Sequence, residues 1–140
     1  MKFDIDTDLT PHFKMGEVCV SQTKPGMVGQ CREDIKRCDM NRAYLLAVMG
    51  LEPIRERFGL VLVTSWYRSK ELNAAVGGSA TTQHLYGEVA DIVVPDAGVL
   101  AVYKYLDKVW PGELILYSKH LHIALPRWGV KPDHMIGTYS

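Results

Sequence analysis

ELILYSKHLHIAL, residues Glu113–Leu125, holds two apolar runs with only Ser118 and Lys119 between them. Both runs have the composition of strands, and so short a connection makes a tight hairpin. The pairing follows: Tyr117 faces His120, Ile115 faces His122 and Glu113 faces Ala124. Side chains alternate along a strand. Leu121, Ile123 and Leu125 therefore turn to the core, and His120 and His122 share the opposite face. Glu113 stands diagonally from His122 on that face, roughly 7–8 Å away by backbone spacing.

Working outward, Val89–Val94 (VADIVV) and Leu60–Trp66 (LVLVTSW) read as further buried strands. Between them Ser69 caps a short helix, SKELNAAV, that stops at Gly77-Gly78. Pro95-Asp96 opens another helix running to about Lys108, with Leu100, Val102, Tyr103 and Leu106 inward. Upstream, Asp39 is expected to cap a helix over Met40–Phe58, with Tyr44, Ala47, Val48, Leu51, Ile54 and Phe58 at apolar spacing. Pro53 kinks or divides that helix, and Gly59 ends it. Residues 1–38 read as an irregular wrap with one short helical turn, and residues 127–140 as a tail over the surface. Helices come first and short strands cluster later. The expected fold is α+β: a single domain over residues 1–140 with a small, mostly antiparallel sheet flanked by helices.

A 140-residue chain that is 47% hydrophobic can fill one core without staples. Sixteen basic residues balance sixteen acidic ones, so no global field recruits nucleic acid or an anionic membrane. No apolar run approaches the roughly 20 residues of a membrane span. MKFDIDTDLTPHF at the N-terminus is acidic and broken, so synthesis in the cytoplasm without a secretory signal is expected, and a monomer with it. The three cysteines, Cys19, Cys31 and Cys38, leave at least one thiol without an intrachain partner. Cys31 and Cys38 lack the tight pairs of structural zinc modules.

SATTQHLYGEVADI, Ser79–Ile92, adds the chemistry. It sets His84 seven positions before Asp91, with Gly87 between to turn the chain. With His122 of the hairpin these residues offer two imidazole nitrogens and one carboxylate oxygen. Catalytic zinc commonly takes three protein ligands and leaves a fourth position to water. Taken alone the spacing is also met by surface or hydrogen-bonded histidines, and H-x-H on a polar strand face is an ordinary pattern.

The joint pattern is more specific. VTSWYRSKELNAAVGGSATTQHLYGEVADIVV, with HLHIAL after it, resembles the M15 zinc peptidases, in particular the short M15A-like proteins of phages and bacteria. The family's S-x-Y-R-S is matched by Ser65, Tyr67, Arg68 and Ser69, and its N-x-x-V-G-G by Asn73, Val76, Gly77 and Gly78. Thr82, His84, Gly87, Val89 and Asp91 follow its S-x-H-x-x-G-x-A-x-D, and His122 its final histidine. LTPHFKMGEV and LEPIRERFG also look like this family, so the resemblance spans roughly residues 9–126. It implies an M15/hedgehog-like zinc peptidase fold, with Zn2+ held by His84, Asp91 and His122. Arg68 would stabilise the oxyanion and, with Thr82 and Tyr67, meet substrate. Related enzymes carry an acid three residues before the last histidine as general base. Here Lys119 stands there and cannot accept a proton while charged. Glu113 and His120 are the substitutes the sequence offers. The implied substrate is a peptidoglycan stem peptide, cut at D-Ala-D-Ala or at L-Ala-D-Glu, by an enzyme of the cell wall, of phage lysis or of a virion. The alternative is a zinc-binding module of the same fold that has lost catalysis.

Overall fold

The computed structural model describes residues 1–36, 40–127 and 129–137. Asp39, the expected helix cap, and Cys38 lie outside the described residues. The segment expected to be irregular contains a hairpin of β1 (Asp8–Thr10) and β2 (Phe13–Lys14), 3-10 turns at Met15–Val18 and Pro25–Met27, and helix α1 (Val28–Ile35). The signal for α1 is slight because only Cys31 and Ile35, one turn apart, are buried on it. The β hairpin is held by contacts distant in sequence: Thr10 Oγ1 and the His12 amide both donate to Glu52 Oε1.

Helical backbone then runs from Asn41 to Phe58, divided as α2 (Asn41–Leu46), a π-turn (Ala47–Leu51) and α3 (Glu52–Phe58). The Glu52 N–H bonds to the Ala47 carbonyl five residues back. Pro53 has no N–H to offer and its ring crowds the carbonyl of residue i−4, so the wider turn forms just before it. The extra residue rotates one half of the helix against the other by roughly 100°. Ala43, Leu46, Ala47, Leu51 and Ile54 are buried as a result, and Tyr44 and Val48, expected inward, are exposed. Gly59 ends the helix as expected.

The strand β3 (Leu62–Ser65) is shorter than its apolar run, with Leu60 and Leu62 exposed. Helix α4 (Lys70–Ala75) follows, with the Ser69 Oγ accepting from the Leu72 N–H at 3.2 Å. Strand β4 (Val89–Val93) leads to α5 (Val99–Leu106). Helix α5 starts later than expected because Gly98, at φ 81°, interrupts the chain after Pro95-Asp96. Val99 takes the inward place with Val102 and Leu106, and Leu100 is 52% exposed.

The hairpin forms as β5 (Leu114–Leu116) and β6 (Leu121–Ala124), with Leu114 opposite Ile123, Ile115 opposite His122 and Leu116 opposite Leu121. The Tyr117 N–H donates to the His120 carbonyl, so the two-residue connection and register are as the sequence dictates. The tail adds what was not expected, a strand β7 (His134–Ile136) parallel to β5. His134 ties it down, with Nε2 donating to the Gly112 carbonyl at 3.0 Å and Nδ1 2.8 Å from Asp107 Oδ1. The sheet order is β3-β4-β6-β5-β7, antiparallel except for the last pair.

One face of this sheet is the core. Ala90, Ile92, Leu114, Leu116, Leu121 and Ile123 are buried there. Gly50 of the π-turn lets the helix close onto it, because a Cβ at that position would lie 3.0 Å from the Trp110 ring and 3.2 Å from Ile123. Trp66 and Trp110 are buried with their indole N–H groups donating to the Gly87 and Ala124 carbonyls, both at 2.9 Å. The other face carries a row across the strands: Ser65 pairs with Asp91, Asp91 with His122, and His122 with Ile115. No helix among the described residues is long and apolar enough to cross a membrane.

Candidate metal centre

Cross-strand pairing sets Asp91 and His122 side by side on the open face of the sheet. His84 reaches them from the 3-10 turn Gln83–Tyr86. Thr82 starts that turn by accepting from the His84 N–H at 3.3 Å, and Gly87, at φ 72°, ends it in a left-handed conformation that suits glycine. The His84 Nδ1–H donates to the Trp66 carbonyl at 2.6 Å. Its Nε2 is left to face Asp91 Oδ2 at 3.3 Å. His122 is oriented in the same way by a carboxylate: Nε2 is 2.8 Å from Glu113 Oε1, and Nδ1 is 3.1 Å from Asp91 Oδ1. Each ring is thus fixed at one nitrogen and presents the other to Asp91.

The donor atoms of His84, Asp91 and His122 lie within 4.8 Å of one another and could hold a metal ion. Donors on a tetrahedral zinc, with bonds of about 2.0–2.1 Å, stand about 3.3 Å apart. His84 Nε2 stands 3.3 Å from Asp91 Oδ2 and His122 Nδ1 3.1 Å from Asp91 Oδ1, so each ring is at that spacing from one of the two carboxylate oxygens. Two neutral nitrogens and one carboxylate are a donor set that suits zinc and leaves a position open. The residues present fit the ion.

Electrostatics agree with a cation-seeking site. Burial opposes ionisation of Asp91, yet hydrogen bonds from His122 and His84 and their charge hold its carboxyl far below the usual carboxylate range. Burial likewise works against a charge on His122, and the Asp91 and Glu113 carboxylates overcome it, so its imidazole is pushed up to about 9. The pair of carboxylates flanking His122 thus favours positive charge at this end of the sheet. The His122 hydrogen bond, partly offset by burial, lowers Glu113.

The centre forms the floor of a cleft of about 820 Å³. Arg68 lies in its wall, 15% exposed, with Nε donating to Ser65 Oγ at 3.2 Å, Nη1 to Asn73 Oδ1 at 3.3 Å and Nη2 to Asp91 Oδ2 at 3.4 Å. The double glycine explains itself here. A Cβ on Gly78 would collide with the Asn73 side-chain oxygen and stand 2.9 Å from Arg68 Nη1. Burial draws the guanidinium down from its ordinary value, and Asp91 then Tyr117 pull it back. His120 also lines the cleft, its ring stacked on Tyr117 at 4.5 Å. Burial lowers the His120 imidazole, with Asp91 opposing. Thr82 and Lys119 border the same space.

Tyr67, expected to meet substrate, does not line the cleft. It is 7% exposed, packs in the core and lines a separate small apolar cavity with Val18, Met40 and Leu85. Strand β3 ends at Ser65, so alternation no longer governs Tyr67; its N–H donates to the Val18 carbonyl, its ring is buried, and Arg68 after it lines the cleft. Glu113 is brought to the centre, but one oxygen is engaged by the far nitrogen of His122. Reasoning from the sequence missed the Trp66 carbonyl, a backbone group no residue type announces. It also missed Arg127 and the wall formed by Ser21, Gln22 and Thr23. A Ser21–Ser65 bridge and the Gln22 N–H to Thr64 carbonyl bond hold that wall to β3. Against known proteins, the family model described as Peptidase M15 matches residues 13–125. No curated protein matches the chain.

Proposed function

The chain belongs to the M15 peptidase family, and from that premise we propose that it is a zinc-dependent peptidase cutting an amide bond in the stem peptides of bacterial peptidoglycan. The observation that carries this reading is the convergence of His84, Asp91 and His122 at the floor of an open cleft. The same donors also suit iron(II). Membership of a peptidase family favours a redox-inert Lewis acid. Bound there, zinc supplies polarisation of the scissile carbonyl and acidification of water.

The chain's own residues do the rest. Arg68, anchored by Ser65 and Asn73, presents an always-charged fork to the oxygen on which negative charge develops. His120, on the cleft side of the hairpin turn, takes the proton of the attacking water and returns it to the leaving amine. Glu113 holds the Nε2–H of His122 and so aims Nδ1, acting as a positioning residue. Thr82 fixes the turn that carries His84 and edges the substrate.

The scissile bond is D-Ala-D-Ala at the stem terminus or L-Ala-D-Glu within it, and the enzyme acts on the cell wall in a cellular, phage-lysis or virion setting. The test is release of new amino groups from purified cell wall with and without a chelator, followed by mass spectrometry of defined muropeptides to fix the bond. Lys119, a cation where related enzymes have the base, favours a second reading as a zinc-binding module without catalysis. Stoichiometric zinc with no amine release between about pH 5 and 9 would select that reading.

A further inference from the structure

Resting on the reading of the cleft as a peptide site, we propose that Lys119 and Arg127 select a substrate bearing a carboxylate on each side of the scissile amide. The chain as a whole has no net charge, yet its cleft is not balanced. Arg68, Lys119 and Arg127 line it against only Asp91 and Glu113. Both acids are already engaged, Asp91 by His84, His122 and Arg68, and Glu113 by His122. Among the described residues neither Lys119 nor Arg127 has an acid within ion-pair distance, and the charge of Arg127 reaches only Glu113, which it helps to lower. A divalent ion at the centre raises the positive charge further. A concave wall of one sign focuses its field on whatever enters.

The two cations flank the centre. Lys119 sits on the turn before β6 and Arg127 beyond its end, with His122 between them. Their backbones are roughly 10 and 17 Å of extended chain from His122, and each side chain reaches several ångströms back. A peptide lying along the cleft with its scissile amide at the centre brings acids within about three residues on either side under one or the other cation. Hydroxyl and amide side chains make up much of the remaining wall, among them Ser21, Gln22, Thr64, Thr81 and Thr82. They suit backbone and carboxylate oxygens and offer no acidic group to attract a basic peptide.

The experiment uses the zinc-loaded full chain and three synthetic peptides sharing one scissile amide. One has free carboxylates on both sides, and each of the others has a carboxamide on one side. Turnover is measured on the peptides and affinity on their reduced-amide analogues, by calorimetry at low salt. Each carboxamide should weaken binding and kcat/KM by about fivefold, an effect that shrinks as salt screens it. Lys119→Met should erase the discrimination on one side and Arg127→Met on the other. Equal affinity for all three peptides, no affinity for any, or discrimination that survives in both variants overturns the proposal. Ranked binding without cleavage sinks the peptidase reading and leaves the charge selection standing; cleavage without ranking does the reverse.

Discussion

His122 lies between two carboxylates, and that placement governs how the metal-free protein responds to pH. Its folded pKa of about 9 exceeds the ordinary 6.5. The stabilisation it brings is therefore complete below about pH 6.5 and is lost as pH rises towards 9. Asp91 is depressed, so its contribution holds above its ordinary 3.8 and fades as pH falls below that. Urea midpoints in chelator should decline between about pH 7 and 9, and zinc should flatten the decline because it replaces the proton. Glu113→Gln removes the charged partner of Nε2 and should weaken zinc affinity about 10–100-fold with the fold intact, as read by competition with a chromophoric chelator. Unchanged affinity would return Glu113 to the status of a free acid. Arg68→Ala should retain the metal and lower kcat about 10²–10³-fold. The three converging donors were offered by residue type and, for His122, strand parity, but only the resemblance to the M15 family singled them out as a set. The direction of each ring was not, because it is set by the Trp66 carbonyl and by which Glu113 oxygen is within reach.

Among the elements, those with strong local rules were read best. The β5–β6 register follows from alternation and a connection of two residues, and α4 from its serine cap. The helix expected over Met40–Phe58 was read nearly in full extent, and its face correctly at Ala47, Leu51 and Ile54 but not at Tyr44 and Val48. A π-turn forced by Pro53 shifts the phase, and a simple 3.6-residue period does not contain that shift. Strand β7 is three residues long between Pro132 and Gly137, and its existence depends on the open edge of β5. The loop after α4 makes the next prediction. Gly78→Ala must push the Asn73 side chain, and with it Arg68, out of place. Activity should fall at least about tenfold, in the range of a lost oxyanion donor, with zinc content unchanged. Steady-state kinetics beside elemental analysis would check it, and full activity would mean the Asn73–Arg68 contact is dispensable.

At the scale of the whole molecule, the centre joins the His84 turn and strand β4, which follow one another, to His122 on strand β6, 31 residues beyond Asp91. An ion that binds only the folded arrangement adds its binding energy to folding. Zinc at a hundred times its dissociation constant should stabilise the protein by about 2.7 kcal/mol, read as a chelator-reversible rise in the urea midpoint. A midpoint indifferent to zinc would mean the three donors do not act together. The α+β class was legible because the β5–β6 hairpin fixes an antiparallel sheet and the longest helical stretch precedes it, although a hairpin of β1 and β2 comes earlier still and α4 and α5 lie between strands. The walls were not, since Ser21–Thr23 and Arg127 reach the cleft only through tertiary packing. The bridge from Ser21 to Ser65 has a last consequence. It occupies the rim of β3 with the protein's own backbone. An incoming polymer cannot dock there by extending the sheet. On the proposed reading, a substrate at that end of β3 would settle onto the open face of the strands and meet the protein through its side groups.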